Sequence, residues 1–282
     1  MSPDLFGDPA EGNGITIAEL KDIVFQHYRS SARSFPWRET LEPWEILVSE
    51  IMLQQTQTER VVPKYLAFLE ALPTVEDLAS ASTERLLSLW SGLGYNRRAL
   101  ALRSTAVEIL ERFDGKVPRT REELESLPGI GPYTASAVMA FAFGIPTVFI
   151  ETNIRSVFLH HFFLGKEKVP DASILPLVAE SLDRQDPRNW YYALMDYGAS
   201  LKKLHGNPNK RSAHYAKQSP FADSHRRIRG TVLRMVGEKK SIGADLLARE
   251  LPFARERVEQ AISELVAEGF LEYQGDVIKM KG

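Results

Sequence analysis

The chain has 282 residues, 44% of them hydrophobic, and a formal net charge of −2, so it is long enough for one large domain or two to three smaller ones with packed cores. It contains no run of 18 apolar residues and no charged-then-apolar leader with a cleavage site, which argues against a membrane span and against secretion; the expected location is cytoplasmic, nucleoid-associated if the source is bacterial. It has no cysteine, which excludes disulfides, thiol catalysis and cysteine-held metal or iron–sulfur centres.

Residues 1–14 (MSPDLFGDPAEGNG) are polar and rich in Gly and Pro, and are expected to be disordered. Helical patterns follow. Apolar residues recur at three- and four-residue steps over Ile17–Tyr28, Pro43–Leu53, Glu59–Ala71, Thr83–Trp90, Arg97–Phe113, Thr120–Ser126 and Tyr133–Phe143, with no long alternating run. Ser82-Thr83-Glu84 and Thr120-Arg121-Glu122 carry helix N-terminal signals. Residues 15–206 thus form an all-α body, with one six-helix part over about 40–145 and a second part from 15–39 and 146–206. Residues 207–224 crowd Asn, Pro, Ser, Lys and Gln, as a linker does. Beyond it, Arg226–Val236, Gly243–Glu250 and Arg255–Glu268 form three helices. FLEY, a QGD turn and VIKM then alternate as a hairpin. Residues 225–282 therefore form a small winged-helix-like domain, a type that binds DNA or makes protein contacts.

Charge is unevenly spread. From Lys202 to Lys240 there are eleven Lys or Arg against two acids, Asp223 and Glu238. Such a stretch is the footprint of a polyanion contact or a solvated basic linker.

Residues 126–138 read SLPGIGPYTASAV. Gly129 and Gly131 accept backbone angles that other residues resist, and they leave amide N–H groups uncovered. The helix starting near Pro132 adds unpaired donors and its positive dipole end, a pocket that grips phosphate without reading sequence. Carbonyls near Leu127 and Gly129 could hold a structural K+ or Na+. An ordinary helix–helix turn is the plain alternative.

The segments FPWR (35–38), SEIMLQQTQ (49–57), LWSGLGYNRRA (89–99), LPGIGPYTASAV (127–138), ETNIRSV (151–157) and MDYGA (195–199) together resemble the helix–hairpin–helix (HhH-GPD) DNA glycosylases. SEIMLQQTQ points to the adenine glycosylase (MutY) branch. The resemblance implies base excision repair: a monofunctional enzyme that flips a base from double-stranded DNA and hydrolyses its N-glycosidic bond. Adenine opposite 8-oxoguanine or guanine is the first substrate. The alternatives are a damaged or mismatched pyrimidine, a non-catalytic lesion binder or, less well supported, a winged-helix regulator. The protein is expected to act as a monomer.

Glu50 is the one ionisable group in ILVSEIML, a run apolar nearly all round a helix. Burial resists ionisation and suits a general acid near neutral pH; a structural hydrogen-bonding role is the alternative. The resemblance places Glu50 as the acid that protonates the purine. Gln54 and Gln55 lie where the family fills the hole left by the flipped base. The resemblance also implies DNA contacts from Tyr95, Arg97, Leu127, Gly129 and Gly131.

Where the family reads Asp-Gly-Asn, this chain reads Glu151-Thr152-Asn153. A negative charge there stabilises the sugar cation left as the base departs. Glutamate keeps the charge but adds a methylene, and misplacement by ~1 Å can cost roughly a hundredfold in rate. Retained activity is expected because Asn153 and Tyr133 also match pocket positions, with Glu50 and Glu151 facing one cavity. Tyr133 stands where bifunctional relatives carry a lysine, and a tyrosine forms no Schiff base, so little strand cleavage is expected.

Many relatives bind an iron–sulfur cluster through four cysteines after the MDYGA-like helix. The segment here, SLKKLHGNPNKRSAHYAKQ, has none. Lys202, Lys203, Lys210, Arg211 and Lys217 are expected to replace the cluster loop's phosphate contacts. The segment after Ser224 is too short for the family's separate 8-oxoguanine-inspecting domain.

Overall fold

The computed structural model describes residues 14–216 and 224–282. The first thirteen residues and Lys217 therefore lie outside the described residues. The helices, in chain order, are α1 (Ile17–Ser31), α2 (Pro36–Glu39), α3 (Pro43–Leu53), α4 (Thr58–Ala71), α5 (Val75–Ala79), α6 (Thr83–Trp90), α7 (Arg97–Phe113) and α8 (Arg121–Glu125). They continue with α9 (Pro132–Phe143), α10 (Thr152–Phe162), α11 (Asp171–Ser181), α12 (Pro187–His205) and a 3-10 turn (Pro208–Arg211). The C-terminal elements are α13 (His225–Lys239), β1 (Ser241–Gly243), α14 (Ala244–Glu250), α15 (Arg255–Ala267), β2 (Leu271–Gln274) and β3 (Val277–Met280).

Local chemistry sets many of these boundaries. Thr16 and Thr74 form capping boxes with Glu19 and Asp77 at the starts of α1 and α5. Ser82 caps α6 by accepting from the Arg85 N–H. α7 ends at Asp114 and α9 at Gly144, both in the left-handed region. The segment expected as Thr120–Ser126 is helical only over Arg121–Glu125.

The described chain divides into two compact units. Of the described residues, the first comprises 14–46, Arg119–Glu125 and 130–216; the second comprises Leu47–Pro118, Ser126–Gly129 and 224–282. The division passes through α3 and through the glycine turn. It differs from the expected one: α8 and α9 group with the first unit, and the C-terminal elements group with the 47–118 helices.

In the first unit, α12 is the central helix. Its Trp190, Tyr191, Leu194, Tyr197 and Leu201 are buried with Leu20 and Val24 of α1, Phe141 of α9 and Phe158 of α10. FPWR meets MDYGA here: Arg38 donates to both oxygens of Asp196 at 2.8 and 2.9 Å, and Arg33 Nε donates at 2.7 Å. In the second unit, α4, α6 and α7 bury Val61, Phe68, Trp90, Leu102 and Ile109.

The C-terminal elements follow the order helix, strand, helix, helix, strand, strand. Their antiparallel sheet has the order β1-β3-β2, with Ile242 opposite Ile278 and Tyr273 on its other side. This is the expected winged-helix-like module with β1 added. It is joined to the neighbouring helices by ion pairs and hydrogen bonds. Glu268 accepts from Arg97 at 2.5 and 2.7 Å, Arg226 donates to the Tyr95 hydroxyl, and Lys240 pairs with Glu84. Among the described residues no helix is long and apolar enough to cross a membrane.

Candidate active site

Glu50 lies on the part of α3 that belongs to the second unit. It is 5% exposed, and Leu47, Val48, Ser49, Ile51 and Met52 around it are buried as well. The helix ends at Leu53, and Gln55 turns into the left-handed region at φ 54°. The C-terminal carbonyls of α3 are held by Arg98. Its guanidinium donates to Ile51 O at 2.6 Å, Met52 O at 3.0 Å and the Thr56 hydroxyl at 3.1 Å. Burial lowers the Arg98 pKa to about 10, so it stays charged at neutral pH. The sequence reading named Arg97 and passed over its neighbour. The adjacent arginines divide the work: Arg97 is exposed and bound by Glu268, whereas Arg98 braces the helix that carries Glu50.

The turn before α7 is as unusual as its sequence. Gly92, Gly94 and Tyr95 have φ of 94°, 73° and 48°, and Trp90 Nε1 donates to Gly94 O at 3.1 Å. In the hairpin, Leu127 is buried, the Pro128 carbonyl accepts from Thr105 of α7 at 2.6 Å, and Gly129 is left-handed at φ 75°. A Cβ at Gly129 would stand 2.8 Å from that of Ala101, so sterics as well as backbone angle require glycine. Gly131 is the extended N-cap of α9, with Pro132 at its first position. Ile51, Gln54, Arg97, Arg98, Ala101 and Gly129 line a cavity of about 250 Å3. The α3 end, the start of α7 and the hairpin thus meet at one place.

Glu151 belongs to the first unit, where it caps α10. Its Oε1 accepts from the Asn153 N–H at 2.6 Å and the Ile154 N–H at 2.7 Å, and Oε2 accepts from Asn153 Nδ2 at 3.3 Å. The added methylene therefore curls the carboxylate back onto the helix start, where the dipole favours its charge. Asn153 Oδ1 accepts from Lys202 Nζ of α12 at 2.8 Å. Tyr133, second residue of α9, packs edge-on against Phe149 with ring centroids 5.7 Å apart.

The residues after α12 fold back onto α10. Asn209 Nδ2 donates to Thr152 O at 2.9 Å and to the Ser156 hydroxyl at 2.5 Å. Arg211 donates to Leu159 O and Phe163 O at 2.8 and 2.6 Å, at the end of α10. Two of the five cations expected on phosphate are thus otherwise engaged: Arg211 closes a helix terminus and Lys202 holds Asn153. Lys203 and Lys210 are exposed. With no cysteine in the chain, these residues do not fit a cysteine-held cluster. Among the described residues no group of three His, Asp or Glu side chains is placed to hold a metal.

Residues 48–177 match the family described as HhH-GPD superfamily base excision DNA repair protein. Over that segment the chain is similar to the HhH-GPD superfamily. Its curated relatives include human adenine DNA glycosylase, 33% identical over 70% of this chain and 37% of the human one. The adenine DNA glycosylase of Mycolicibacterium smegmatis is 39% identical over 62% of this chain and 60% of that protein. The matches therefore span only part of those proteins' lengths. A thermostable thymine-DNA glycosylase has a similar fold, with a TM-score of 0.58 and 24% identity over 70% of this chain and 97% of that one. An endonuclease III–DNA complex gives a TM-score of 0.55 at 19% identity, over 74% of this chain and 92% of that one.

Proposed function

We propose that this chain is a monofunctional DNA N-glycosylase that removes adenine mispaired with 8-oxoguanine or guanine from double-stranded DNA. The observation that carries the reading is its similarity to adenine DNA glycosylases, over 70% of the chain for the human protein, beside a family match over residues 48–177 that takes in Glu50. The target nucleotide is extruded at a cost of a few kcal/mol of lost stacking. Gln54 and Gln55 occupy the vacated space. Glu50 donates a proton to the leaving base, so that it departs neutral. The carboxylate of Glu151, held by two backbone amides, stabilises the positive charge left on the sugar. Water attacks C1′, and its proton passes to a carboxylate. Asn153 and Tyr133 shape the pocket, and with no lysine at position 133 the strand stays uncut. The hairpin amides near Gly129 and Gly131 grip phosphate, with K+ or Na+ at the carbonyls of Leu127 and Gly129. The enzyme acts as a monomer in the cytoplasm.

A second reading has the same chemistry acting on a mismatched or damaged pyrimidine. It is favoured by the fold likeness to a thymine-DNA glycosylase. The deciding experiment uses duplexes carrying adenine opposite 8-oxoguanine, guanine or cytosine, and uracil or thymine opposite guanine, each treated with alkali after incubation. Alkali-dependent cutting at adenine that disappears in Glu50→Gln is the expected result. Cutting at a pyrimidine only selects the second reading. Tight binding with no cutting of any duplex rejects both.

A further inference from the structure

Asn153, which donates to the Glu151 carboxylate, is itself bound by a half-buried cation from a helix far along the chain. Lys202 Nζ donates at 2.8 Å to Asn153 Oδ1, across 49 residues of sequence. A carboxamide has an acceptor end and a donor end. With its oxygen turned to an ammonium, Asn153 must turn Nδ2 the other way, where it donates to Glu151 Oε2 at 3.3 Å. The opposite rotamer would set an amide oxygen against a carboxylate oxygen and leave the ammonium without its acceptor. Oε1 is already fixed by two backbone N–H groups, so the amide settles the direction of the second oxygen.

The surrounding packing leaves this relay little slack. A Cβ on Gly198 would stand 2.2 Å from Asn153 O, so α12 lies directly against the first turn of α10. Asn209 holds the preceding carbonyl, Thr152 O, at 2.9 Å.

From this geometry we infer that Lys202 is a positioning residue that aims the Glu151 carboxylate through Asn153. The inference rests on the glycosylase reading above, because it assigns Glu151 a charge-stabilising role. It also separates Lys202 from Lys203 and Lys210, which are exposed and free to meet a polyanion.

The test measures single-turnover excision from the best duplex substrate, together with the affinity for uncleaved duplex over a range of salt concentrations. For Lys202→Met, the excision rate falls at least tenfold, while affinity and the slope of log K against log salt stay at wild-type values. Lys202→Arg, which keeps a charged donor, recovers most of the rate. The pH profile adds a readout that a packing role would not move. Burial lowers the Lys202 pKa; Arg155 and Arg33 act in the same direction and Glu151 opposes them. The wild-type rate therefore falls at alkaline pH below the ordinary lysine range, and Lys202→Arg moves that fall upward.

An excision rate for Lys202→Met equal to wild type overturns the inference. So does a salt slope reduced by about one unit with the rate intact, which identifies a phosphate contact instead. If Lys202→Met does not fold, as judged by circular dichroism, the arginine variant and its pH profile decide: an alkaline limb that stays in place overturns the inference. Wild-type protein that removes no base from any duplex overturns the glycosylase reading and this inference together. Wild-type activity that is indifferent to position 202 overturns the inference alone.

Discussion

Arg98 shows how much of a site one side chain can hold. It is the donor for two carbonyls at the end of α3, three and four residues before Gln55 and just after Glu50. Replacing it with methionine keeps most of the apolar stem and removes every donor. The carbonyls of Ile51 and Met52 then lose their charged partner, and leaving buried acceptors unsatisfied costs about 1–3 kcal/mol. We expect Arg98→Met to lower the urea midpoint accordingly and to slow excision, because the helix bearing Glu50 loses its terminal brace. A variant with unchanged stability and rate would show that the bonds to α3 carry no weight. In the sequence, NRRA offers two adjacent arginines with nothing local to tell them apart. Helical periodicity directs neighbouring residues roughly 100° apart, so one can face in while the other faces out. Deciding which requires the position of α3. Glu50 was legible for the opposite reason: its environment is written in the apolar residues beside it. The Lys202–Asn153 contact was illegible because the partners lie on separate helices and neither has a spacing that signals the other.

At the scale of elements, α10 and α12 form the core of the first unit and carry its pH sensitivity. His160 and His161 sit next to each other near the end of α10, with His161 Nε2 2.8 Å from the Tyr197 hydroxyl of α12. Burial, reinforced by neighbouring cationic groups, lowers their pKa values to about 4 for His160 and about 3 for His161. An unfolded chain binds these protons near the ordinary histidine value of about 6.5. Between pH 6.5 and about 4 the unfolded state therefore holds more protons, and stability falls as pH falls. Asp196 adds a second acid window. Burial alone would raise its pKa, but the bonds from Arg38 and Arg33 outweigh it and hold it below the ordinary carboxylate range. Its contribution is present above that range and is lost only as pH drops further, through the folded pKa. Urea denaturation at steps from pH 8 to pH 4 should show stability declining below about 6.5. In His161→Gln, whose amide can still reach Tyr197, the decline should flatten. An unchanged slope would place the proton uptake elsewhere. Asp196→Ala leaves two arginines facing an empty site and should destabilise by about 3–5 kcal/mol. These helices were partly visible beforehand. The bounds of α3, α6 and α7 follow from their apolar spacing and terminal signals, and all three agree with the structure residue for residue. β1 escaped notice because three residues are too few to show alternation.

For the molecule as a whole, the basic stretch from Lys202 to Lys240 is less available to a polyanion than its composition suggests. Lys202, Arg211, Arg226, Arg229 and Lys240 are each engaged by another residue of the chain. The exposed start of α15, where a winged helix would present a reading surface, alternates Arg255, Glu256, Arg257 and Glu259 rather than building a basic face. The C-terminal elements instead bind the 47–118 helices through Glu268, which Arg97 and Arg229 hold at a pKa of about 2. No local pattern announces this grouping, because Arg97 and Glu268 are 171 residues apart. The arginine is 73% exposed and the glutamate 19%, so the pair is partly screened. An exposed pair of this kind contributes about 0.2–1 kcal/mol. We expect Glu268→Gln to lower stability within that range and to leave the salt slope of duplex binding unchanged, because Arg97 acts as a brace between α7 and the C-terminal elements. A slope that steepens by about one unit, with tighter binding, would instead show that Glu268 keeps Arg97 from a phosphate. Thermal unfolding and salt titrations on the same two proteins separate these outcomes, since only a brace links position 268 to stability while leaving the count of released counterions alone.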